Sequence, residues 1–433
     1  MSTTIPTLSG APLLGNLLEL RRDWLALLAR VPAECGDVGR IRLGPVSGLV
    51  FNSPEAVRTI FVDHTDAFDK GPTLARLVRV FLGNGLLTCD RADHAEQRRL
   101  VAPAFLPARL NAYAPFITAS VDAVCATIPH GAELDLHTLI LQIAMAAMGR
   151  TLFSDDLAAI APRLEAALSD GLAWLAWRVG HPLSLPLAVP TRHNRLATGA
   201  VRVLDEVLFG LIARRRAAGP GRGDILDHLV EAGATDDRAL RDQLATLLLA
   251  GFETTAASIS WLWALLGERE GLEEAMREEA QGRAGEVRGT GELALTERAW
   301  KEGLRLYPPA HTIGRRVERD LEVAGHVVRK GDVVIVSPWL LHRRPEAFPS
   351  PEVFDPDRFA PGHTPPRYAW IPFGAGPRVC IGGAFAAMEA RIIVAGLLRR
   401  FRFERLTSGR PAPIISLTLR PTSLPVRVLA VSP

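Results

Sequence analysis

The sequence has few cysteines and no pattern among them that would hold a metal or a cluster. The four cysteines, Cys35, Cys89, Cys125 and Cys380, lie far apart, with no Cys-x-x-Cys pair and no cysteine–histidine pair at metal-binding spacing. A disulfide framework, a zinc site and an iron–sulfur cluster therefore lack the residues that they need. The 433 residues, 48% of them hydrophobic, are still enough to bury a large core.

Excess charge and long apolar runs are also missing. The 50 basic and 47 acidic residues nearly cancel, which argues against a nucleic-acid partner. No uncharged run reaches the roughly twenty residues that a membrane-spanning helix requires. Residues 1–20 show no charged leader before an apolar core, so we expect neither a signal peptide nor a membrane anchor, and a cytoplasmic protein.

A glycine-rich stretch near the C-terminal end contains the last of the four cysteines. It reads Pro-Phe-Gly-Ala-Gly-Pro-Arg-Val-Cys-Ile-Gly over residues 372–382. Glycine permits turn conformations, and the two prolines exclude a regular helix or a central strand, so this stretch is predicted to be a loop. The helical spacing of residues 384–398 then puts Cys380 just before or at a helix N-terminus, where the helix dipole favours a thiolate.

The same stretch matches the pattern Phe-x-x-Gly-x-Arg-x-Cys-x-Gly without departure, and in this it resembles the cytochrome P450 family. The resemblance implies a haem b cofactor with Cys380 as the axial ligand of its iron. Phe373 would pack on the loop and shield the sulfur, and Arg378 would neutralise a propionate. Taken alone, Cys380 would be interpreted as an ordinary buried cysteine; three further motifs compete with that interpretation.

The first of these motifs contains His94 and Arg98, which are four residues apart and share one face of a predicted helix. An isolated pair of this kind is usually part of an exposed polar face. The run His-Ala-Glu-Gln-Arg-Arg-Leu-Val, however, resembles the propionate-binding helix of the family, which implies that His94 and Arg98 bind haem propionates. Either Arg315 or Arg316 is a further candidate for a propionate, and position favours Arg315.

The second motif lies in the middle of the longest helical pattern, residues 236–268, and reads Ala-Gly-Phe-Glu-Thr-Thr over residues 250–255. Gly251 lowers helix propensity and a threonine hydroxyl can bond back to the previous turn, so we expect a local widening. The run resembles the oxygen-activation motif of the family, which implies that Glu253 and Thr254 order water and deliver protons. A solvated helix face would not explain the small residues beside them.

The third motif is a predicted helix that ends at Leu-Tyr-Pro-Pro, residues 306–309, and carries Glu302 and Arg305 one turn apart. By default such a pair is a surface ion pair that contributes little to stability. The prolines that follow, and Arg358 in the run Phe-Asp-Pro-Asp-Arg-Phe, resemble the family pattern. They imply a buried triad of Glu302, Arg305 and Arg358 that braces the cysteine loop.

The rest of the chain has few chemical signals. Helical periodicity predominates between residues 110 and 217, and strands are predicted around residues 38–43 and 49–52. Because residues 68–90 contain Gly71-Pro72 and Gly83-Asn84-Gly85, they are predicted to be an irregular connection with at most a short helix. The resemblance covers essentially all 433 residues. It implies a single haem domain, residues 1–433, with the mainly α cytochrome P450 fold and a small β-rich region.

The resemblance implies a haem-thiolate monooxygenase that inserts one oxygen atom of dioxygen into an apolar small molecule, by hydroxylation or epoxidation. Apolar pocket-lining segments allow a fatty acid, terpenoid, steroid or macrolide-like skeleton. Two alternatives are a peroxygenase that uses hydrogen peroxide and a non-catalytic haem-binding sensor. Neither would gain from the pair Glu253 and Thr254.

The expected partners follow from the same resemblance. No flavin or nicotinamide fingerprint occurs in the sequence, so we expect no fused reductase. Electrons would come from a ferredoxin with its ferredoxin reductase, and Arg98, Arg99 and Arg378 are candidates for docking such an acidic partner. We expect a monomer that binds no nucleic acid.

Overall fold

The computed structural model describes residues 4–154, 160–181, 184–219, 221–233, 236–282 and 293–430. Within these ranges the chain is mainly helical, with short strands gathered in small sheets, as the sequence predicts. The helices are α1 Leu17–Arg22, α2 Trp24–Glu34, α3 Pro54–Arg58, α4 Pro72–Leu82, α5 Arg91–Val101, α6 Pro107–Cys125, α7 Leu136–Phe153, α8 Ala161–Gly180, α9 Arg192–Ala218, α10 Ile225–Glu231, α11 Asp237–Leu266, α12 Leu272–Gln281, α13 Ala294–Leu306, α14 Pro338–Leu341 and α15 Gly383–Arg400.

The strands form one five-stranded sheet and three smaller ones. They are β1 Val38–Leu43, β2 Val46–Phe51, β3 Phe68–Lys70, β4 Glu133–Asp135, β5 Ile313–Val317, β6 Leu321–Val323, β7 His326–Val328, β8 Val333–Val336, β9 Phe401–Arg405, β10 Pro413–Ile415, β11 Leu419–Pro421 and β12 Pro425–Ala430. The large sheet has the order β1-β2-β8-β5-β3, and the others are β4-β12-β9, β10-β11 and β6-β7. The predicted strand pair is β1 and β2, which are antiparallel with Val38 opposite Phe51.

Helix α11 lies at the centre of the helical core. Its N-terminus is capped by Asp236, whose side chain accepts hydrogen bonds from the N–H groups of Arg238 and Ala239. From Leu240 onward side chains are buried on almost every face, which is typical of a helix that is apolar all round. The helix packs against α7, α9, α13 and α15. It runs without interruption through Gly251, so the widening expected there is not found.

The prediction for residues 68–90 is wrong. In place of an irregular connection, the segment contains β3 and the 11-residue helix α4. The residues that suggested a loop stand at the two ends of this helix: Pro72 occupies its first turn, and Gly83 follows its last residue with a φ of 64°. Proline is tolerated in a first helical turn and glycine adopts positive φ at helix ends, so both residues delimit a helix.

Helix α7 is, among the described residues, the one helix that is long and apolar enough to cross a membrane, with a mean hydropathy of 1.3. Within the fold, 72% of it is buried. Its neighbours are α11 and α6, which pack along it. These contacts account for its apolar composition as that of a core helix.

Candidate active site

The cysteine loop, residues 372–382, is closed by its own backbone. The N–H of Cys380 donates to the carbonyl oxygen of Phe373 at 2.9 Å, which joins the two ends of the loop. Gly376 has a φ of 70°, and a Cβ atom on it would lie 1.6 Å from the carbonyl oxygen of Phe61. Only glycine fits at this position, so the loop packs backbone to backbone against the turn that carries Phe61.

The thiol of Cys380 is accessible and yet surrounded by protein. The residue is exposed, while burial is the largest influence on its thiol and raises the pKa. A sulfur that borders an internal space has both properties. It is accessible from that space, and protein atoms surround the space itself. A hydrogen bond from the backbone of Gly382 and the charge of Arg98 lower the pKa in turn and favour the thiolate.

Aromatic packing connects the cysteine loop with the helices beside it. The ring of Phe373 lies 6.1 Å from that of Trp300 on α13, centroid to centroid. Trp300 donates from Nε1 to the hydroxyl oxygen of Ser258 on α11 at 2.9 Å. Phe373 thus links the loop to α13 and, through Trp300, to α11, and its contact with a haem stays a prediction.

Four side chains that carry or accept positive charge form a cation cluster close to the loop: Lys70, His94, Arg315 and Arg378. Burial, with the charge of Arg378, lowers the pKa of Lys70 to about 7. Burial, with the charges of Arg378 and Lys70, lowers the pKa of His94 to about 4. Burial, with the charge of Arg378, lowers the pKa of Arg315 to about 10. The fold therefore assembles this cluster from β3, α5, β5 and the cysteine loop.

The cation cluster has more positive charge than its protein neighbours neutralise. Asp69 lies beside it, with Oδ1 at 3.5 Å from Nη2 of Arg378. That Nη2 atom is buried and has no hydrogen-bond partner among the residues that the structure describes. A buried excess of charge is unfavourable unless a counter-charge balances it. The donors of the cluster therefore fit an anionic group such as the propionates of a haem.

Arg316 and Arg98 have other contacts. Arg316 pairs with Glu318, with 2.7 Å between Nε and Oε1, whereas its neighbour Arg315 belongs to the cation cluster. Nη1 of Arg98 donates to the carbonyl oxygen of Val379 at 2.8 Å, directly before the cysteine. The choice of Arg315 over Arg316 as a propionate ligand stays a prediction, and Arg98 has a contact with the loop that the sequence did not predict.

A short strip of α11 is open, whereas the other residues of the helix from Leu240 onward are buried. Ala250 is exposed, and Gly251 and Thr254 are half-buried. These positions lie on one face, because residues four apart are about one turn apart. The hydroxyl of Thr254 donates to the carbonyl oxygen of Ala250 at 2.7 Å, which confirms the predicted bond back to the previous turn. We call these three residues the open strip.

Glu253 has different contacts from Thr254. It is 5% exposed, and its Oε1 accepts a hydrogen bond from the hydroxyl of Thr418 at 2.8 Å. Its Oε2 is buried without a hydrogen-bond partner in the described part of the chain. Burial raises the pKa of the Glu253 carboxyl, and the Thr418 bond and the charge of Arg420 lower it in part. The predicted acid and alcohol are therefore sequence neighbours that do not bond to each other directly.

The predicted triad of Glu302, Arg305 and Arg358 is present and buried around Glu302. The two carboxylate oxygens of Glu302 accept from Nε and Nη2 of Arg305, each at 2.8 Å. The N–H of Asp355 donates to Oε1 at 2.9 Å, and Nε of Arg358 lies 3.4 Å from the same oxygen. Glu302 and Arg305 are fully buried and remain stable because each is paired and hydrogen-bonded, whereas Arg358 is half-buried.

His342, which the sequence analysis did not identify, links the triad to the cysteine loop. It is fully buried, and its Nδ1 lies 3.2 Å from the carbonyl oxygen of Arg305. Its Nε2 accepts from the N–H of Ile371 at 2.8 Å. A neutral imidazole with the proton on Nδ1 satisfies both contacts. Since Ile371 directly precedes the loop, the triad supports the loop through His342.

An apolar cavity lies between α4, α8, α9 and α11. Its lining consists of aliphatic residues, one aromatic residue and one glycine, namely Val78, Phe81, Ala167, Leu168, Gly171, Leu172, Leu175, Ala200, Leu204, Leu249 and Leu417. Two of the lining residues are sequence neighbours of the site: Leu249 precedes the open strip, and Leu417 precedes Thr418. This apolar lining suits an apolar small molecule.

Comparison with protein families identifies the chain, because the family model described as Cytochrome P450 matches residues 5–426. The chain belongs to the cytochrome P450 family. It is 36% identical to cyclooctatin synthase of Streptomyces melanosporofaciens, over 95% of this chain and 93% of the relative. It is 32% identical to pentalenene oxygenase of Streptomyces avermitilis, over 98% and 96% respectively. It is also 34% identical to cyclooctat-9-en-7-ol 5-monooxygenase of Streptomyces melanosporofaciens, over 95% and 90%.

Family membership confirms the predicted cytochrome P450 fold and the predicted class of reaction. The protein is a cytochrome P450 monooxygenase with a haem-iron cofactor. As a P450 monooxygenase it uses dioxygen, a hydrophobic substrate and a redox partner.

Proposed function

We propose that a b-type haem lies between the cysteine loop and the open strip of α11, with Cys380 as the axial ligand of its iron. The observation that carries this proposal is the accessible sulfur of Cys380 in otherwise buried surroundings. The backbone of Gly382 and the charge of Arg98 favour the thiolate that iron binding needs, and Phe373 would pack on the loop and shield the sulfur once the haem is bound. Bound here, the haem supplies the activation of dioxygen, which no side chain provides.

The propionates are proposed to bind His94, Arg98, Arg315 and Arg378, as the sequence predicts, and Lys70 joins this set. The support is the buried excess of positive charge in the cation cluster, which two carboxylates would balance. Lys70 gains most from such an anion, because burial and neighbouring cations now disfavour its charged form.

Proton delivery is proposed for Thr254 and Glu253. The hydroxyl of Thr254 lies on the open strip, where it can orient a water molecule and pass a proton from it. Oε2 of Glu253 is the carboxylate oxygen without a partner in the described structure, and it can exchange a proton with that water. Because burial raises the pKa of Glu253, this exchange occurs nearer to neutral pH than for an exposed glutamate.

The substrate is proposed to be a cyclic terpenoid. Two relatives are named for oxygenation of pentalenene and of cyclooctat-9-en-7-ol. The cavity beside α11 has no charged lining residue, which suits a hydrocarbon skeleton. Cyclic terpenes that convert the ferric haem from low to high spin would identify the skeleton that fits.

The electron donor is proposed to be a ferredoxin with its reductase. Arg99 is exposed and is the first candidate for an acidic partner. Arg98 is bonded to the cysteine loop, and Arg378 belongs to the cation cluster. That residues 1–433 form one haem domain without a fused reductase, and that the protein is a cytoplasmic monomer, also remain proposals.

Replacement of Thr254 by alanine tests the proposed mechanism. Without the hydroxyl, water is no longer oriented for proton transfer, so we expect product formed per NADH to fall by roughly tenfold or more while hydrogen peroxide release rises. The measurement is peroxide released and NADH consumed by the reconstituted enzyme, with a spin-shifting terpene present. Thr254→Ser keeps the hydroxyl and should stay close to the wild-type ratio.

Unchanged coupling in Thr254→Ala would refute the role of Thr254. The peroxygenase alternative makes a different forecast, because hydrogen peroxide would then replace dioxygen and the electron donor. In that case both proteins would form product with peroxide at the same rate, and neither would depend on the reductase.

A further inference from the structure

Glu253 is held by a residue far away in the sequence. The hydroxyl of Thr418 donates to Oε1 of Glu253 at 2.8 Å, and the two residues are 2% and 5% exposed. The other carboxylate oxygen, Oε2, has no hydrogen-bond partner within the described ranges. The position of this acid therefore depends on a single hydroxyl group.

The turn that carries Thr418, between β10 and β11, is fixed on both sides. Within the turn, the N–H of Ser416 donates to the carbonyl oxygen of Thr418 at 3.0 Å. The N–H of Leu419 donates to the carbonyl oxygen of Pro309 at 3.0 Å. The carbonyl oxygen of Leu419 accepts from Nε1 of Trp261 on α11, also at 3.0 Å. A hydroxyl on such a support holds its partner in one place.

Few charges act on Glu253. Arg420 on β11 lowers the pKa of its carboxyl and also that of His137 on α7. On the side of α15, burial raises the pKa of Glu389 to about 8, so that this acid is mostly uncharged at neutral pH. The Thr418 hydrogen bond and the charge of Arg420 therefore oppose the effect of burial on Glu253.

We propose that Thr418 is a positioning residue: its hydroxyl fixes Oε1 of Glu253 and leaves Oε2 as the oxygen that exchanges a proton with water near Thr254. This inference rests on the proton-delivery role proposed above for Glu253 and Thr254. It also connects the acid with the substrate cavity, since the preceding residue, Leu417, lines that cavity.

Thr418→Val tests the inference, because valine keeps the branched shape and removes the hydroxyl. The protonated carboxyl of Glu253 is followed by infrared spectroscopy of the haem-loaded protein as a function of pH, and Glu253→Gln identifies its band. We expect the pKa of Glu253 to rise by about one unit or more, a roughly tenfold change in the ratio of protonated to ionised acid, because a hydrogen bond to a carboxylate favours the ionised form.

Two variants serve as controls. Thr418→Ser keeps the hydroxyl and should titrate like the wild type, which a loss of packing alone would not produce. Leu417→Ala enlarges the cavity from the same turn and leaves the hydroxyl in place, so it should weaken terpene binding without moving the titration of Glu253. In Thr418→Val, the pH dependence of the share of electrons released as peroxide should move to higher pH. This move should equal the rise in the pKa of Glu253.

An unchanged titration in Thr418→Val would overturn the inference. The inference would also be overturned if Thr418→Val showed no infrared band of the protonated Glu253 carboxyl, that is, no band removed by Glu253→Gln. The range to be covered is about pH 5 to about pH 9, since the pKa of this acid is raised. The failure of the proposed function looks different, because Thr254→Ala would then leave peroxide release unchanged. If Thr254→Ala raises peroxide release and Thr418→Val leaves the titration as it was, only the positioning role is lost.

Discussion

Two glutamates inside this protein, Glu302 and Glu253, differ in how completely their carboxylates are paired. Glu302 is fully buried, and both oxygens accept hydrogen bonds, from Arg305 and from the backbone of Asp355. Glu253 is nearly as buried, but only its Oε1 has a partner in the described structure, the neutral hydroxyl of Thr418. The two acids have the same side chain in opposite environments.

This difference in pairing gives the two glutamates different roles: Glu302 supports the structure, and Glu253 is suited to proton transfer. Both oxygens of Glu302 are held by a charged side chain and a backbone N–H, so Glu302 serves as a fixed part of the scaffold. Glu253 has no cation in direct contact among the described residues, and burial raises the pKa of its carboxyl. Perturbed acids of this kind are typical of reaction sites.

The largest effect is expected from Glu302→Gln. Arg305 would then be a buried charge without a counter-charge, which costs about 3–5 kcal/mol of unfolding free energy. Glu253→Gln removes a carboxylate that burial disfavours and keeps an oxygen for Thr418, so its unfolding free energy should stay within about 1 kcal/mol of the wild type. Urea denaturation of both haem-loaded variants measures this difference.

Equal losses of unfolding free energy in Glu302→Gln and Glu253→Gln would contradict the proposed difference between the two glutamates. A structural role of Glu253 would then explain its burial, and the role in proton delivery would lose its physical basis. Product and peroxide yields of Glu253→Gln, measured at matched haem content, provide the second criterion, since the variant should be uncoupled although it is stable.

A smaller effect is expected at His342, which connects the triad with the residue before the cysteine loop through two hydrogen bonds. Its pKa is lowered from 6.5 to about 3, mainly by burial. As the pH falls from about 6.5, the unfolded chain binds a proton that the folded protein does not, so the unfolding free energy falls by up to about 1.4 kcal/mol per pH unit. In His342→Gln, which does not titrate, this slope should be shallower by up to that amount.

The control for this prediction is His64→Gln, which makes the same substitution at an exposed histidine and leaves the buried imidazole of His342 in place. The measurement is urea denaturation at several pH values between about pH 6.5 and pH 4.5. A slope in His342→Gln equal to that of the wild type would show that protonation of His342 does not oppose folding. The link to Ile371 would then matter less than its 2.8 Å hydrogen bond indicates.

The sequence predicted best where the residues of a site lie close together in the chain. The cysteine loop, the run from Ala250 to Thr255 and the pair of Glu302 and Arg305 are short segments in which spacing alone defines a turn or a helix face. Resemblance to one family then assigned them to one site. The mainly α fold was predicted for the same reason, because helical periodicity is a local property.

Residues that act through tertiary contacts were missed. Lys70, His342 and Thr418 stand in segments without a recognisable pattern, and each becomes relevant only when a distant element packs against it. Helix α4 is missed for a different reason: Pro72 and Gly83, which in the sequence indicate a loop, mark the two ends of a helix. The same residue types delimit loops and helices, and only packing of the segment between them decides which is formed.

The central claim is that Cys380 binds the haem iron as a thiolate, and the spectrum of the reduced protein with carbon monoxide tests it most directly. A thiolate donates electron density to the iron and shifts the Soret band of the carbon monoxide complex to the red. We predict this red-shifted band for the haem-loaded protein. An intact, haem-loaded protein whose Soret band lacks the red shift would contradict the assignment of Cys380.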